Sequence, residues 1–276
     1  MSRFEPGAGQ RALVTGAGSG IGRWLCRHFA AKGMAVIAVD IDEAAARETV
    51  TGMEDAHAFA CDVSDRAALM ALAQRCEAQA LAPNLLWINA GVGSADTIVG
   101  ASERTIAWLY GVNVMGPIWT AQAFVPLMRA AKEAGGGPFH VGVTASSASV
   151  TPVAGPFTLY ATTKQATASV AEALAAELEP DGIGVTILCP GILDTDIWNA
   201  KRARPERFGG ARVAPEEAGA HWRAQPGPEV LAEPLDEALA RGGGWCIAAT
   251  EDATRGLMEE RQEAQRKGLR EIRPDS

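Results

Sequence analysis

Positive charge is in short supply in this chain. Twenty-five lysines and arginines face 33 aspartates and glutamates over 276 residues, for a formal net charge of −8. An acidic surface repels phosphate backbones and anionic headgroups, which argues against nucleic acid or a membrane surface as the main partner. Long apolar runs are missing as well. No stretch reaches the roughly 18 apolar residues of a membrane span. Met1 to Gln10 has neither an apolar run nor a cleavage signature, so no signal peptide is expected. The five cysteines, Cys26, Cys61, Cys76, Cys189 and Cys246, include no Cys-x-x-Cys pair and none at zinc-ligand spacing with a histidine. They read as reduced, buried thiols. There is no internal repeat and no low-complexity linker. These absences leave a soluble cytoplasmic protein as the expectation, and 47% hydrophobic residues supply ample core.

What is there alternates. Short apolar runs lie at Arg11–Thr15, Met34–Val39, His57–Cys61, Asn84–Asn89, Phe139–Thr144, Gly184–Cys189 and Gly244–Ala249. Alanine- and leucine-rich helical stretches separate them, among them Gly22–Lys32, Asp65–Gln79, Ala101–Lys132 and Thr163–Leu178. Continuous apolar strands separated by helices predict an α/β fold: a Rossmann-type, doubly wound parallel sheet of about seven strands in a single domain spanning residues 1–276. The stretch 194–234, rich in Pro, Gly, Arg and Glu, breaks the rhythm and is expected to be a substrate lid. Residues 252–276 read as a charged C-terminal helix, Ala253 to Leu269, and a polar tail.

Tyrosine is scarce, with two in the chain, and Tyr160 has Lys164 one helical turn later. Positions i and i+4 share a helix face, so phenol and ammonium can meet. A neighbouring cation favours phenolate and pulls a tyrosine pKa down from about 10. The first strand runs into Thr15-Gly16-Ala17-Gly18-Ser19-Gly20-Ile21-Gly22 and then a helix. A glycine turn between strand and helix lets backbone approach a pyrophosphate, and the helix N-terminus presents N–H groups to it. The second strand closes on Asp40, whose carboxylate can accept bonds from both adenosine ribose hydroxyls and would repel a 2′-phosphate. No basic residue stands at Ser19 or Ile41 to neutralise such a phosphate, so NAD is expected over NADP.

These residues resemble the short-chain dehydrogenase/reductase family, in its shorter-chain branch, and the resemblance covers about residues 8–250. Cys61-Asp62-Val63 matches the segment that contacts adenine. Ile88-Asn89-Ala90-Gly91 matches the family's Asn-Asn-Ala-Gly, with Ile in place of the first Asn. Asn113 in Val112-Asn113-Val114-Met115-Gly116 matches the helix asparagine that holds a relay water. Ser147 lies 13 residues before Tyr160, the family's usual interval for the catalytic serine; Ser146 and Ser149 are its neighbours. Pro190-Gly191-Ile192-Leu193-Asp194-Thr195 matches the segment that holds the nicotinamide carboxamide, Pro190, Gly191, Ile192 and Thr195 being its cofactor contacts.

The resemblance implies NAD-dependent oxidation of a secondary alcohol to its ketone, or the reverse, with no metal. Ser147 and Tyr160 would bond the substrate oxygen, Tyr160 would take its proton, Lys164 would tune Tyr160 and hold the nicotinamide ribose, and Asn113 would link Lys164 to solvent. A homo-tetramer or homo-dimer through the helices bearing Asn113 and Tyr160 is likewise implied. Val92, Val150, Pro152, Val153, Phe157, Leu193 and Trp198 are expected around the substrate. Most are apolar, which suits a bulky or aromatic alcohol. The lid segment Arg204-Pro205-Glu206-Arg207-Phe208 is similar to part of the lid in dehydrogenases of the lignin aryl-ether pathway. Two other readings stand beside this one. One is a ketone reductase for acyl or steroid substrates; the other is a non-catalytic NAD(H) sensor on the same fold.

Overall fold

The computed structural model describes residues 3–248 and 252–268. Its framework is a parallel sheet of β1 (Arg11–Thr15), β2 (Ala35–Asp40), β3 (Ala56–Ala60), β4 (Leu85–Ile88), β5 (His140–Thr144), β6 (Gly184–Pro190) and β7 (Gly243–Ala248). The strand order is β3-β2-β1-β4-β5-β6-β7. The chain works outward from β1 in one direction, then returns to lay β4 on its other side. That reversal opens a crevice at the carboxyl ends of β1 and β4, where ligands bind in open sheets of this kind.

Helices cover both faces: α1 (Gly20–Ala31), α2 (Glu43–Val50), α3 (Arg66–Ala78), α4 (Glu103–Tyr110), α5 (Gly116–Glu133), α6 (Thr158–Leu178), the short α7 (Ala220–Arg223), α8 (Ala232–Ala240) and α9 (Asp252–Gly268). On one face α1 buries Leu25, Cys26 and Phe29 with Leu235 and Leu239 of α8. On the other, Leu69 and Leu72 of α3, Trp108 of α4, Phe124 and Met128 of α5 and Ala168 and Ala171 of α6 form a second core. Each fully buried Leu or Phe contributes about 1.5–3 kcal/mol, which holds the strands in one register. Among the described residues no helix is long and apolar enough to cross a membrane.

The strands fall close to the expected runs; Ala249, placed in the seventh, lies outside the described residues. Two helical differences bear on function. The expected helix Ala101–Lys132 is interrupted by a π-helical turn, Gly111–Met115. The wider turn swings Asn113 inward, where it is buried. The helix expected to start at Thr163 starts at Thr158, which puts Tyr160 in its first turn. The tail helix runs Asp252–Gly268 against the expected Ala253 to Leu269, and Leu269 lies outside the described residues.

One packing arrangement reaches the cleft. Trp87 on β4 pairs with Gly142 on β5, and a Cβ at Gly142 would run into the indole. The indole Nε1–H donates to Thr144 Oγ1 at 3.0 Å, which fixes the last residue of β5. Gly142→Ala should destabilise the protein by about 1–3 kcal/mol through overpacking. Urea unfolding monitored by fluorescence checks this; a midpoint equal to wild type would contradict the packing account.

Candidate active site

The glycine turn and the Asn89 segment form one wall. Gly16 has φ +66°, and a Cβ there would stand 2.7 Å from Ala90 Cα. A Cβ at Gly22 would overlap the Gly16 carbonyl. Asn89 Nδ2 donates to the carbonyls of Thr15 (3.1 Å) and Gly16 (3.3 Å). The backbone N–H groups of Asn89 and Ala90 donate to Thr15 Oγ1 at 3.0 and 3.1 Å. From the other side Gly18 N–H donates to Asp40 Oδ2 at 2.8 Å, and Asp42 N–H to Oδ1 at 2.9 Å. Burial raises the Asp40 carboxyl above its ordinary range, against these two N–H bonds.

A cavity of about 630 Å³ runs from Asp40 along this wall to Tyr160 and on beneath residues 195–222. Gly16, Ser19, Gly20, Ile21, Asp40, Asp62, Val63, Asn89, Ala90, Gly91, Pro190, Gly191, Ile192 and Thr195 line it. Gly18 lines an adjoining recess with Asp40, Asp42 and Glu43. Gly22 sits behind the turn. Thr195 closes on the start of α1, its Cβ 3.1 Å from where a Cβ at Gly20 would be.

Tyr160 and Lys164 both line the cavity. Lys164 is 4% exposed, and its Nζ donates to the Thr144 carbonyl at 3.0 Å. Burial lowers its pKa to about 8. Gly91 opposes it, because a Cβ there would lie 3.0 Å from Nζ. Asn113 Oδ1 accepts from Val92 N–H at 2.8 Å, and Nδ2 donates to Val92 O and Thr163 Oγ1, both at 2.9 Å. Asn113 thus ties the π-turn, the Gly91 strand end and α6 together behind the cavity wall.

Three expectations are corrected here. The phenol of Tyr160 is not pulled down: burial pushes it up to about 12, outweighing the Ser146 side chain, which acts in the other direction. The ammonium meant to lower it is turned onto the Thr144 carbonyl. Second, Ser147 does not stand alone on the wall: Ser146 lines the cavity beside it, and the Ser146 side chain is the one that acts on the Tyr160 phenol. Ser146 is extended (φ −170°, ψ 158°) and caps the 3-10 turn Ser147–Ser149, accepting from Ala148 N–H at 3.2 Å. Ser147 begins that turn; it lines the cavity, but its carbonyl takes the Val150 and Thr151 N–H groups. Ser149 is turned away, its hydroxyl on the Lys164 carbonyl at 2.7 Å. Third, Val150 and Pro152 are not among the cavity-lining residues, while Val92, Val153, Phe157, Leu193 and Trp198 are. Val150 follows the 3-10 turn, which carries its side chain off the wall.

The lid segment supplies further wall residues. Trp222 lines the far end, edge-on to Phe157 with ring centroids 6.2 Å apart, and His221 lies beside it. Its pairing with Phe157 has no local signal. Arg202 lines both the cavity and the recess at Asp40, its Nη2 donating to Ser19 Oγ at 3.0 Å. The cation absent at Ser19 and Ile41 therefore comes from a distant segment, which no scan of neighbouring positions could find.

Residues 10–206 match the family model described as short chain dehydrogenase. The "C alpha-dehydrogenase" of a Sphingobium species is 33% identical over 243 residues, covering 83% of this chain and 77% of that protein. The "Probable oxidoreductase EphD" of Mycobacterium tuberculosis is 35% identical over 188 residues, 67% of this chain; the match spans 31% of that longer protein. Among solved structures, a short-chain dehydrogenase/reductase from Burkholderia phymatum in complex with NAD superposes with a TM-score of 0.83 at 30% identity over 100% of both chains. With that match running through the glycine turn, the buried Lys164 and the Tyr160 helix, the chain belongs to the short-chain dehydrogenase family.

Proposed function

We propose that this protein is an NAD-dependent dehydrogenase that interconverts a bulky or aromatic secondary alcohol and its ketone. The observation that carries the reading is that Tyr160, Ser146, Ser147 and buried Lys164 line one cleft that begins at Asp40. The residues present fit a dinucleotide: Gly16 and Gly22 leave a cradle that side chains would fill, and Asp40 stands at the ribose end. When bound, NAD supplies the hydride acceptor. Asp40 would hold the adenosine ribose, Asp62 and Val63 the adenine, the N–H groups at the start of α1 the pyrophosphate, and Ile192 and Thr195 the nicotinamide end. The NAD-bound Burkholderia relative supports the choice of cofactor.

Ser146 and Tyr160 bond the substrate hydroxyl and hold its carbon toward the cofactor; Tyr160 takes the hydroxyl proton. Lys164, when protonated, favours the phenolate that accepts this proton. Asn113 keeps Val92 and Thr163 in register around Lys164, and its carbonyl, already accepting from Thr167, has a second lone pair for a relay water. Phe157, Trp198 and Trp222 give the substrate end three aromatic faces, which supports an aryl alcohol. The Sphingobium relative named a C alpha-dehydrogenase supports a benzylic position for the oxidised carbon. Residues 194–234 act as the lid. Partly exposed Ile106 and Tyr110 on α4 support self-association through that face. The five free, buried cysteines support a cytoplasmic location.

Tyr160→Phe should leave NADH binding intact and lower turnover at least a hundredfold, since general-base groups contribute about 10²–10⁴. Ser146→Ala should lose about as much and Ser147→Ala only a few-fold; steady-state kinetics with aryl secondary alcohols decides between them. Oxidation needs Tyr160 deprotonated, and burial holds it protonated up to about 12. The log of kcat/KM for oxidation should therefore climb from about pH 7 to 10, and a plateau below neutrality would contradict the assignment. Asp40→Ser should weaken NADH binding by about tenfold, the worth of a charge-assisted hydrogen bond. It should also improve NADPH use, because Arg202 stands in the same recess. An unchanged NADH/NADPH ratio would remove Asp40 from cofactor choice.

A further inference from the structure

Of the lid's arginines, Arg223 stacks over Trp198, its guanidinium 5.3 Å from the ring, but Arg202 and Arg207 are held elsewhere. Arg202 donates to Ser19 Oγ at 3.0 Å, at the N-cap of α1, and its charge acts on Asp40. Two carbonyls of its own segment, Asp196 and Asn199, each 3.2 Å away, and the Asp196 carboxylate at 3.7 Å hold it there. Arg207 donates to Asp62 Oδ2 at 2.6 Å and to Ser64 Oγ at 2.8 Å. Arg204 lies between them, its guanidinium 4.9 Å from the Trp108 ring. The segment therefore starts on the rim formed by the glycine turn and ends on the rim formed by the end of β3. Those rims flank the half of the cleft assigned above to adenosine.

The charge in that half is lopsided. Asp40 and Asp62 line the cavity there, and Asp42 and Glu43 line the recess beside it. Arg202 is the one arginine or lysine among the residues lining this end; Lys164 stands at the catalytic end. The nearest arginine of α1, Arg23, is turned behind the loop onto the Gly18 carbonyl, Thr49 and Glu48. A dinucleotide pyrophosphate brings two negative charges into this acidic surround. N–H groups at the start of α1 meet part of that charge, and a guanidinium, with five donors in a planar fork, meets phosphate oxygens in pairs.

We propose that residues 202–207 form a cofactor strap: Arg202 is the positioning residue that pairs with the dinucleotide's phosphates, and the Arg207–Asp62 bond anchors the far end over the adenosine half. The proposal rests on the dinucleotide reading above, and its novelty is that the lid serves the cofactor as well as the substrate.

The test is equilibrium binding, with no turnover required. NADH titrated against full-length wild type, Arg202→Gln and Arg202→Lys should show about tenfold weaker binding for the Gln variant, the loss of a charge-assisted pair, and partial rescue by Lys. The deficit should shrink as KCl is raised, because salt screens a charge contact at a partly exposed site. Competition separates charge from fold: Arg202→Gln should weaken ADP and leave adenosine unchanged. In stopped flow, Arg207→Gln should release NADH several-fold faster. If wild type binds no NADH, the dinucleotide reading falls. If wild type binds NADH and Arg202→Gln binds it equally well, or loses ADP and adenosine alike, that reading stands and the strap is overturned.

Discussion

A buried ammonium is the constraint around which this site is arranged. Lys164 is enclosed by the ends of β4 and β5 and the body of α6, and its bonding partner is a backbone carbonyl, Thr144. A cation placed that way has lost its water and has no carboxylate to replace it, so burial drives its pKa down to about 8. Holding it demands close backbone approach and rigidity. Gly91 lacks the Cβ that would crowd Nζ. Thr144 is fixed through its hydroxyl by Trp87, and Trp87 has room because Gly142 has no side chain. Asn113, turned inward by the π-turn, locks Val92 and Thr163 beside it. A charge deep in the sheet edge thus accounts for two glycines, a tryptophan and an irregular helix that would otherwise look unrelated.

The same logic explains why Tyr160 is poised rather than pre-ionised. Burial raises both proton affinity in the phenol and proton lability in the ammonium, so the two pKa values, about 12 and about 8, lie in the reverse of the order that phenolate formation at neutral pH needs. The protein alone therefore keeps the tyrosine protonated. Ionisation has to be drawn out by charge that arrives with the reactants, which confines proton transfer to the loaded cleft.

Most of the framework was legible in the chain. The seven apolar runs became the seven strands within a residue or two, because strands buried on both faces leave continuous hydrophobic signals. The glycine turn, Asp40, Asn89, Asn113, Tyr160 and Lys164 sit on strand ends or helix faces at intervals that regular structure dictates. What stayed hidden lies where the chain is irregular. The interval from Ser147 to Tyr160 is filled by a 3-10 turn and a loop, and that irregular path sets Ser146 on the cavity wall beside Ser147, which no residue count reveals. The π-turn leaves no signature in an alanine- and leucine-rich stretch. Arg202 and Trp222 meet the site from a segment of short turns, whose contacts depend on the path of the chain and not on any period.

That path has a physical reason in the charge of the molecule. An acidic protein that binds a doubly charged phosphate ligand needs cations at the mouth of its cleft, yet the loops at the ends of β2 and β3 carry Asp40, Asp42, Glu43 and Asp62. An arginine fixed within those loops would be neutralised by them; one carried on a separate segment can be set against the pyrophosphate side of the rim. The stretch Asp196–Ala203 kinks at Asn199 (φ −106°, ψ 21°), with Trp198 on the cavity wall before the kink and Arg202 at Ser19 after it.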